Sequence, residues 1–168
     1  LLGGLGQDSV ARFWSNVEGQ DWFTCHPGVQ RLRNENLLNK TLPLHFHQDG
    51  VEVYRDVESN IWTWGSALTS QNTVETKFLL GHVWEFSMPN KAVRKRVNEE
   101  FCKYIDWCLR ICESGMGPAR GFYGEILGSR FAGKELFGGW RAVFAGWKGD
   151  GKARKVENDF TRAWDSTY

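Results

Sequence analysis

The chain has 168 residues, enough for one domain with a hydrophobic core, and its 41% hydrophobic and 24% charged residues exclude wholesale disorder. The formal net charge of +1 excludes a global field that recruits nucleic acid or an anionic membrane, so such binding would need a local patch. No apolar run approaches the roughly 20 residues that span a bilayer, and we expect no membrane partner.

The cysteines and the first residues bear on compartment and processing. Three of the four cysteines fall in one predicted helix and no CxxC pair is present, which favours reduced thiols and an intracellular protein. The start, LLGGLG, lacks an initiator Met and is too short for the hydrophobic part of a signal peptide. We therefore expect a fragment or a processed piece of a longer protein. The sequence gives no oligomeric state.

The N-terminal quarter is predicted to be partly helical. Residues 8–18 place four apolar side chains on one helical face: Val10, Phe13, Trp14 and Val17. A loop around Pro27 and a polar, Asn-rich stretch are expected next. We assign residues 1–40 to an N-terminal helical and irregular extension and residues 41–168 to the main domain.

Three strands are predicted after this extension. Apolar and polar residues alternate from Leu42 to His47, as in a half-buried strand. Two further candidates follow at 61–67 and 74–81, and residues 56–60 supply a turn before the second. Short links between successive strands predict an antiparallel meander.

A long helix, a fourth strand and a last helix complete the pattern. Apolar residues recur at three and four through residues 91–113: Val93, Val97, Phe101, Ile105, Cys108 and Cys112. Residues 115–139 are rich in glycine and predict an irregular connection before a strand at 140–147. The last helix carries Val156, Phe160 and Trp164. This order predicts an α+β, partial ribonuclease H-like fold whose C-terminal strand and helix are missing beyond Tyr168.

Asp49 and Asp150 form the first candidate site. Each is followed by glycine, and they come after the first and fourth strands, which are neighbours in a ribonuclease H-like sheet. Hard oxygen ligands clustered in this way hold the paired divalent ions that cleave phosphodiesters, so we expect Mg²⁺ or Mn²⁺. The alternative is that each Asp-Gly marks a turn after a strand.

A third carboxylate would be required for catalysis. Glu157 and Asp159 lie on the wrong helix for this role. The third acid then lies beyond the end of this chain, or the site was never complete. We expect the chain to be inactive by itself.

His45, His47 and Asp49 form the second candidate site. Residues at every second position of a strand share a face, so the three side chains would converge on one transition metal such as Zn²⁺. The spacing is similar to metal motifs of metallo-β-lactamase-like hydrolases and cupins, but Gly50 stands where the former have a further histidine. The alternative is a solvated strand face that holds two histidines.

A basic and aromatic segment around the fourth strand forms the third candidate site. Cations interleaved with aromatic side chains grip a phosphate backbone and stack on bases. Its members are Trp140, Arg141, Trp147, Lys148, Lys152, Arg154 and Lys155. The alternative is a solvated helix face. Lys91, Arg94, Lys95 and Arg96 are interpreted as such a face at the start of the long helix.

Several of these stretches resemble a known set of proteins. LPLHFHQDGV, IWTWGSAL, TKFLL and VFAGWKGDGKAR resemble uncharacterised proteins found in many copies in dinoflagellate genomes, over roughly residues 14–165. The chain also resembles the integrase-type core of DDE transposases, in which one acid ends the first strand and another follows the fourth. That resemblance implies a mobile-element origin, a DNA substrate and Mg²⁺ or Mn²⁺, and it bears on Asp49 and Asp150.

Three functions are therefore open. The first is metal-dependent DNA strand cleavage or transfer in the intact parent, which would place the protein in the nucleus. The second is a non-catalytic nucleic-acid- or protein-binding domain that kept the fold. The third is a metal-dependent hydrolase built on His45 and His47.

Overall fold

A computed structural model describes residues 7–54, 57–69, 77–84 and 87–148 of the chain. It is an α+β structure with one mixed four-stranded sheet and one long helix. The helices are α1 (Gln7–Val17), α2 (Asp21–Cys25), α3 (Pro27–Asn34) and α4 (Lys91–Ser114), with short 3₁₀ turns at Leu38–Lys40 and Phe137–Gly139. The strands are β1 (Thr41–Tyr54), β2 (Val57–Ser66), β3 (Phe78–Trp84) and β4 (Arg141–Lys148). The predicted last helix lies outside the described residues.

The N-terminal helices are more numerous than the sequence predicts. The helix expected at residues 8–18 is confirmed as α1, but the loop expected around Pro27 is wrong, because α2 and α3 occupy that stretch. Pro27 is the first residue of α3, where its missing N–H costs nothing. His26 caps the same helix, since its Nδ1 accepts a hydrogen bond from the Val29 N–H at 3.2 Å.

The hairpin of β1 and β2 is longer than predicted. We expected β1 to end at Asp49 and a turn at residues 56–60, but β1 continues to Tyr54 and β2 begins at Val57. Asp49 lies opposite Ile61 in the antiparallel register. Both expectations are wrong, because a strand accepts glycine and polar residues wherever the partner strand completes its backbone hydrogen bonds.

The sheet has the strand order β3-β2-β1-β4. The meander of β1, β2 and β3 is confirmed, although β3 begins at Phe78 rather than within 74–77, and residues 70–76 are not among those described. β4 forms close to its predicted bounds and pairs with β1 in parallel. A parallel neighbour needs a crossover connection, and α4 is the main element between β3 and β4.

Helix α4 follows the predicted apolar stripe and has clear ends. The Asn90 side chain accepts a hydrogen bond from the Val93 N–H at 3.0 Å, and Gly115 ends the helix with a φ of 63°. The Phe101 ring lies over Trp62 of β2, with ring centroids 4.6 Å apart, which fixes the N-terminal half of α4 against the sheet. No helix in the described ranges is both long and apolar enough to cross a membrane.

The main hydrophobic core joins the N-terminal helices to the sheet. Its buried members come from α1, α2, α3, β1 and β4: Val10, Trp14, Val17, Phe23, Val29, Leu32, Leu42, Leu44 and Val143. The Trp14 indole N–H also donates to the Thr41 carbonyl at 2.8 Å, where β1 begins. The N-terminal helices therefore share their apolar contacts with the sheet rather than forming a separate core.

Candidate functional site

Asp49 lies near the end of the contact between β1 and β4. Its side chain is exposed. The parallel register pairs Phe46 with Trp147 and ends with His47 opposite Lys148. Asp49 follows that last pair by two residues, and in the sequence Asp150 follows it by the same number. Asp150 itself lies outside the described residues.

The reading of Asp49-Gly50 as a turn after a strand is wrong. Gly50 lies opposite Asn60 inside the hairpin, and β1 continues beyond it. A residue without a side chain inside an extended strand leaves space on the face beside its neighbours. Asp49 is therefore an exposed carboxylate held on a paired strand, which gives it a defined backbone position.

The three residues of the second candidate site differ in exposure along β1. His45 is 6% exposed, His47 is half-buried and Asp49 is exposed. Strand alternation directs all three toward one face. Among the residues that the structure describes, no group of three or more His, Cys, Asp or Glu side chains is placed to hold a metal ion. Zinc binding by His45 and His47 stays a prediction.

The described members of the third candidate site make contacts within the protein. Trp140 is half-buried and packs against the main core. Arg141 donates to the Trp140 carbonyl at 3.2 Å and crosses the end of α4, where a Cβ placed on Gly115 would lie 1.8 Å from its Nη1. Gly115 is favoured by its positive φ of 63°, whereas the end of the flexible Arg141 side chain could shift to admit a Cβ.

Trp147 is also engaged in packing. Its ring lies 5.7 Å from that of Phe46 and 6.0 Å from that of Phe144. Lys148 ends β4, and the remaining basic members, Lys152, Arg154 and Lys155, lie outside the described residues. A phosphate-binding role for this segment stays a prediction, and for Trp147 aromatic packing explains the side chain without a ligand.

The structure brings together a group of residues that the sequence reasoning did not combine. A cavity of about 730 Å³ lies between α4 and the connection that follows it. We call it the aromatic groove. It is lined by Val93, Arg96, Val97, Glu100, Phe101, Tyr104, Phe122 and Tyr123. The sequence shows α4 residues at helical spacing and a Phe-Tyr pair after Gly121, but nothing in it indicates that the two meet.

Aromatic rings form one connected side of this groove. Phe122 meets Tyr104 edge-on with centroids 5.3 Å apart, and it lies 5.0 Å from Tyr123 and 6.1 Å from Trp107. Tyr123 is 91% exposed and Tyr104 is 42% exposed. Interaction with the neighbouring Cys108 thiol raises the pKa of the Tyr104 hydroxyl, so this ring stays neutral at physiological pH. The groove thus presents uncharged aromatic faces to solvent.

The charged residues at the groove are of two kinds. Lys103 donates to the Glu100 carboxylate at 2.6 Å, and that contact raises the pKa of the lysine ammonium. Arg96 lines the groove beside them and is exposed. No acidic partner of Arg96 is found within the described part of the chain. Among the lining residues, Arg96 is therefore the cation that a ligand could contact.

Comparisons with protein-family models, with curated proteins and with solved structures give no match to this chain.

Proposed function

We propose that the chain is the core of a ribonuclease H-like domain of mobile-element origin, which in its intact parent cleaves or joins DNA strands with divalent metal ions. The observation that supports this most strongly is the sheet: a three-strand antiparallel meander, a long helix, and a fourth strand placed in parallel beside the first. That arrangement sets the carboxyl-terminal end of β4 beside the middle of β1, where His47 lies opposite Lys148 and Asp49 follows two residues later. Because fold does not give function, the proposal depends on the acids near that point of the sheet.

The equal offset of the two aspartates supports a shared site. If the register of His47 with Lys148 continues for two more residues, Asp49 and Asp150 come to lie opposite each other. Asp49 is exposed, so its carboxylate is open to an ion and to a phosphate. Carboxylate oxygens are the ligands that Mg²⁺ and Mn²⁺ prefer.

Asp49, the one acid of the pair that the structure describes, has the ligand chemistry that such ions need. Asp49 and Asp150 would hold the metal, and a further acid from a longer chain would complete the set. When bound, the divalent ions stabilise the attacking and leaving oxygens of a phosphodiester. The chain itself would contribute the spacing of the two carboxylates, because Asp49 lies within β1 and Asp150 follows in sequence the strand β4 that pairs with β1.

Manganese binding tests this proposal without requiring catalysis. In the full 168-residue chain, loss of the free Mn²⁺ signal in electron paramagnetic resonance measures binding. We expect Asp49→Asn and Asp150→Asn each to weaken binding at least about tenfold, since either change removes one anionic ligand. Asp106→Asn is the matched control, because Asp106 is an exposed acid on α4 held 2.7 Å from Arg110.

Two results would count against the carboxylate pair. If Asp49→Asn and Asp150→Asn both bound Mn²⁺ as tightly as the wild-type chain, the two aspartates would not form a metal site. DNA binding that is unchanged by Asp49→Asn and by removal of divalent ions, with no cleavage by a chain extended at its C-terminus, would identify a non-catalytic binding domain instead.

A further inference from the structure

The aromatic groove has the features of a surface that stacks flat rings. Tyr123 is 91% exposed although its neighbour Phe122 packs against Tyr104 and Trp107. The ring of Tyr123 is thus held at the surface by a packed aromatic next to it, rather than at the tip of an isolated loop. An exposed ring of this size loses the favourable free energy of burial. Exposed aromatic side chains grouped in this way mark a binding surface.

Backbone hydrogen bonds hold the segment that carries these rings. The Gly121 N–H donates to the Glu125 carbonyl at 2.8 Å, and the Gly124 N–H donates to the Gly121 carbonyl at 3.0 Å. Arg120 closes the same turn, since its guanidinium donates to the Gly124 carbonyl at 2.8 Å. Phe122 and Tyr123 are therefore presented by a closed turn, which lowers the entropy lost on binding.

Arg96 is the residue of the groove that would contact an anion. Glu100 is neutralised by Lys103, whereas Arg96 faces the groove without an acidic partner among the described residues. Arg96 lies in the second turn of α4, and exposed Lys91 is the first residue of that helix, where the helix dipole adds positive potential. A flat ring carrying a phosphate matches both the aromatic faces and this cation.

Nucleotides in a duplex stack on one another, so their faces are not available to protein side chains. A groove that works by stacking must therefore take unpaired nucleotides.

The groove also lies away from the proposed acid site. Phe101 contacts Trp62, which pairs with Gln48, and residues paired across strands share a face. Asp49, the next residue along β1, points to the opposite face.

We propose that the aromatic groove binds unpaired nucleotides of single-stranded nucleic acid, with a base stacked on Tyr123 and a phosphate held by Arg96. This inference goes beyond the proposed function, because it requires neither Asp49 nor a metal ion. In a strand-processing parent the groove would hold a single-stranded end while the acids act on the other face of the sheet.

Fluorescence anisotropy with a labelled 12-nucleotide oligothymidylate tests the groove, using the full chain at low salt with EDTA present. Tyr123→Ala is expected to weaken binding at least about fivefold, the loss of one stacked base. Phe131→Ala is the matched control, since Phe131 is a 52% exposed aromatic of the same connection that does not line the groove. Both positions are exposed, so both variants should fold, which far-ultraviolet circular dichroism checks.

The phosphate contact has a separate readout. Arg96→Gln is expected to lower the slope of log affinity against log salt by about 0.7, the value for one phosphate on a single strand. Arg110→Gln, on the same helix but bound to Asp106, should leave the slope unchanged.

Three outcomes would overturn the proposal. The first is no binding of the oligonucleotide at low salt, or binding that neither Tyr123→Ala nor Arg96→Gln weakens. The second is equal or tighter binding of duplex DNA of the same length, which would replace stacking with general electrostatic attraction. The third is competition by thymidine monophosphate at the same concentration as the 12-mer, which would make the ligand a free nucleotide. Because the assay contains EDTA, failure of the metal proposal leaves these results unaffected.

Discussion

Trp14 offers the sharpest test of how the N-terminal helices contribute to the fold. Its side chain is 3% exposed, and its indole N–H donates to the Thr41 carbonyl at 2.8 Å. Its ring also contacts those of Phe13 and Phe23, at centroid distances of 5.1 and 6.1 Å. Trp14→Phe keeps a ring in the core but removes the donor and part of the packed volume.

The expected cost follows from these two losses. A buried carbonyl that loses its donor costs about 1–3 kcal/mol, and the volume lost within the core adds about 1 kcal/mol. We therefore expect Trp14→Phe to lower the free energy of unfolding by about 2–4 kcal/mol. For a chain of this length, that corresponds to a decrease in Tm of roughly 5–15 °C.

Trp22→Phe is the matched control for this measurement. The Trp22 N–H donates to the Gln20 side chain at 2.5 Å, and that bond is exposed, so its loss should cost less than about 1 kcal/mol. Urea denaturation followed by far-ultraviolet circular dichroism measures both variants and avoids the change in tryptophan fluorescence. If Trp14→Phe were no more destabilising than Trp22→Phe, the shared core of helices and sheet would be refuted.

Two further predictions concern the connection after α4 and the thiols of that helix. Gly117→Ala should lower Tm measurably, because the new Cβ would lie 1.9 Å from the Phe131 carbonyl oxygen. Gly128→Ala meets no atom within 4 Å and should leave Tm nearly unchanged. Equal Tm values for the two variants in a thermal scan would contradict this prediction. Cys112 should react with iodoacetamide more slowly than exposed Cys25 at neutral pH, because burial raises the pKa of the Cys112 thiol above 9.0 and keeps it protonated. The stability that the neutral Cys112 thiol contributes should be complete below pH 9 and be lost as the pH rises through the raised pKa, which peptide mapping at several pH values and denaturation at alkaline pH can measure.

Elements with a strong local pattern were predictable from the sequence. Helix α4 repeats its apolar residues over 24 positions, begins after a capping Asn90 and ends at Gly115, so its bounds follow from short-range chemistry. The meander of strands was predicted from alternation and short links, although the turn expected at residues 56–60 was wrong. Strands β1 and β4 were expected to be neighbours from element order alone, and the structure shows that they pair in parallel.

Elements without such a pattern required the tertiary structure. Helix α3 has eight residues, too few to be stable alone, and it is held by burial of Val29 and Leu32 in a core shared with the sheet. The length of β1 beyond Asp49 likewise depends on its partner strand, because a strand persists where another chain segment satisfies its backbone.

The same division applies to the candidate sites. Asp49 and the histidines before it were predicted from the sequence as candidate sites, whereas the aromatic pair Phe122 and Tyr123 was not. The contacts between distant residues are seen only in the folded chain. Tyr104 and Phe122 come together because the connection after Gly115 folds back against α4. Such contacts join residues far apart along the chain, and no local periodicity encodes them, since their free energy comes from packing between elements.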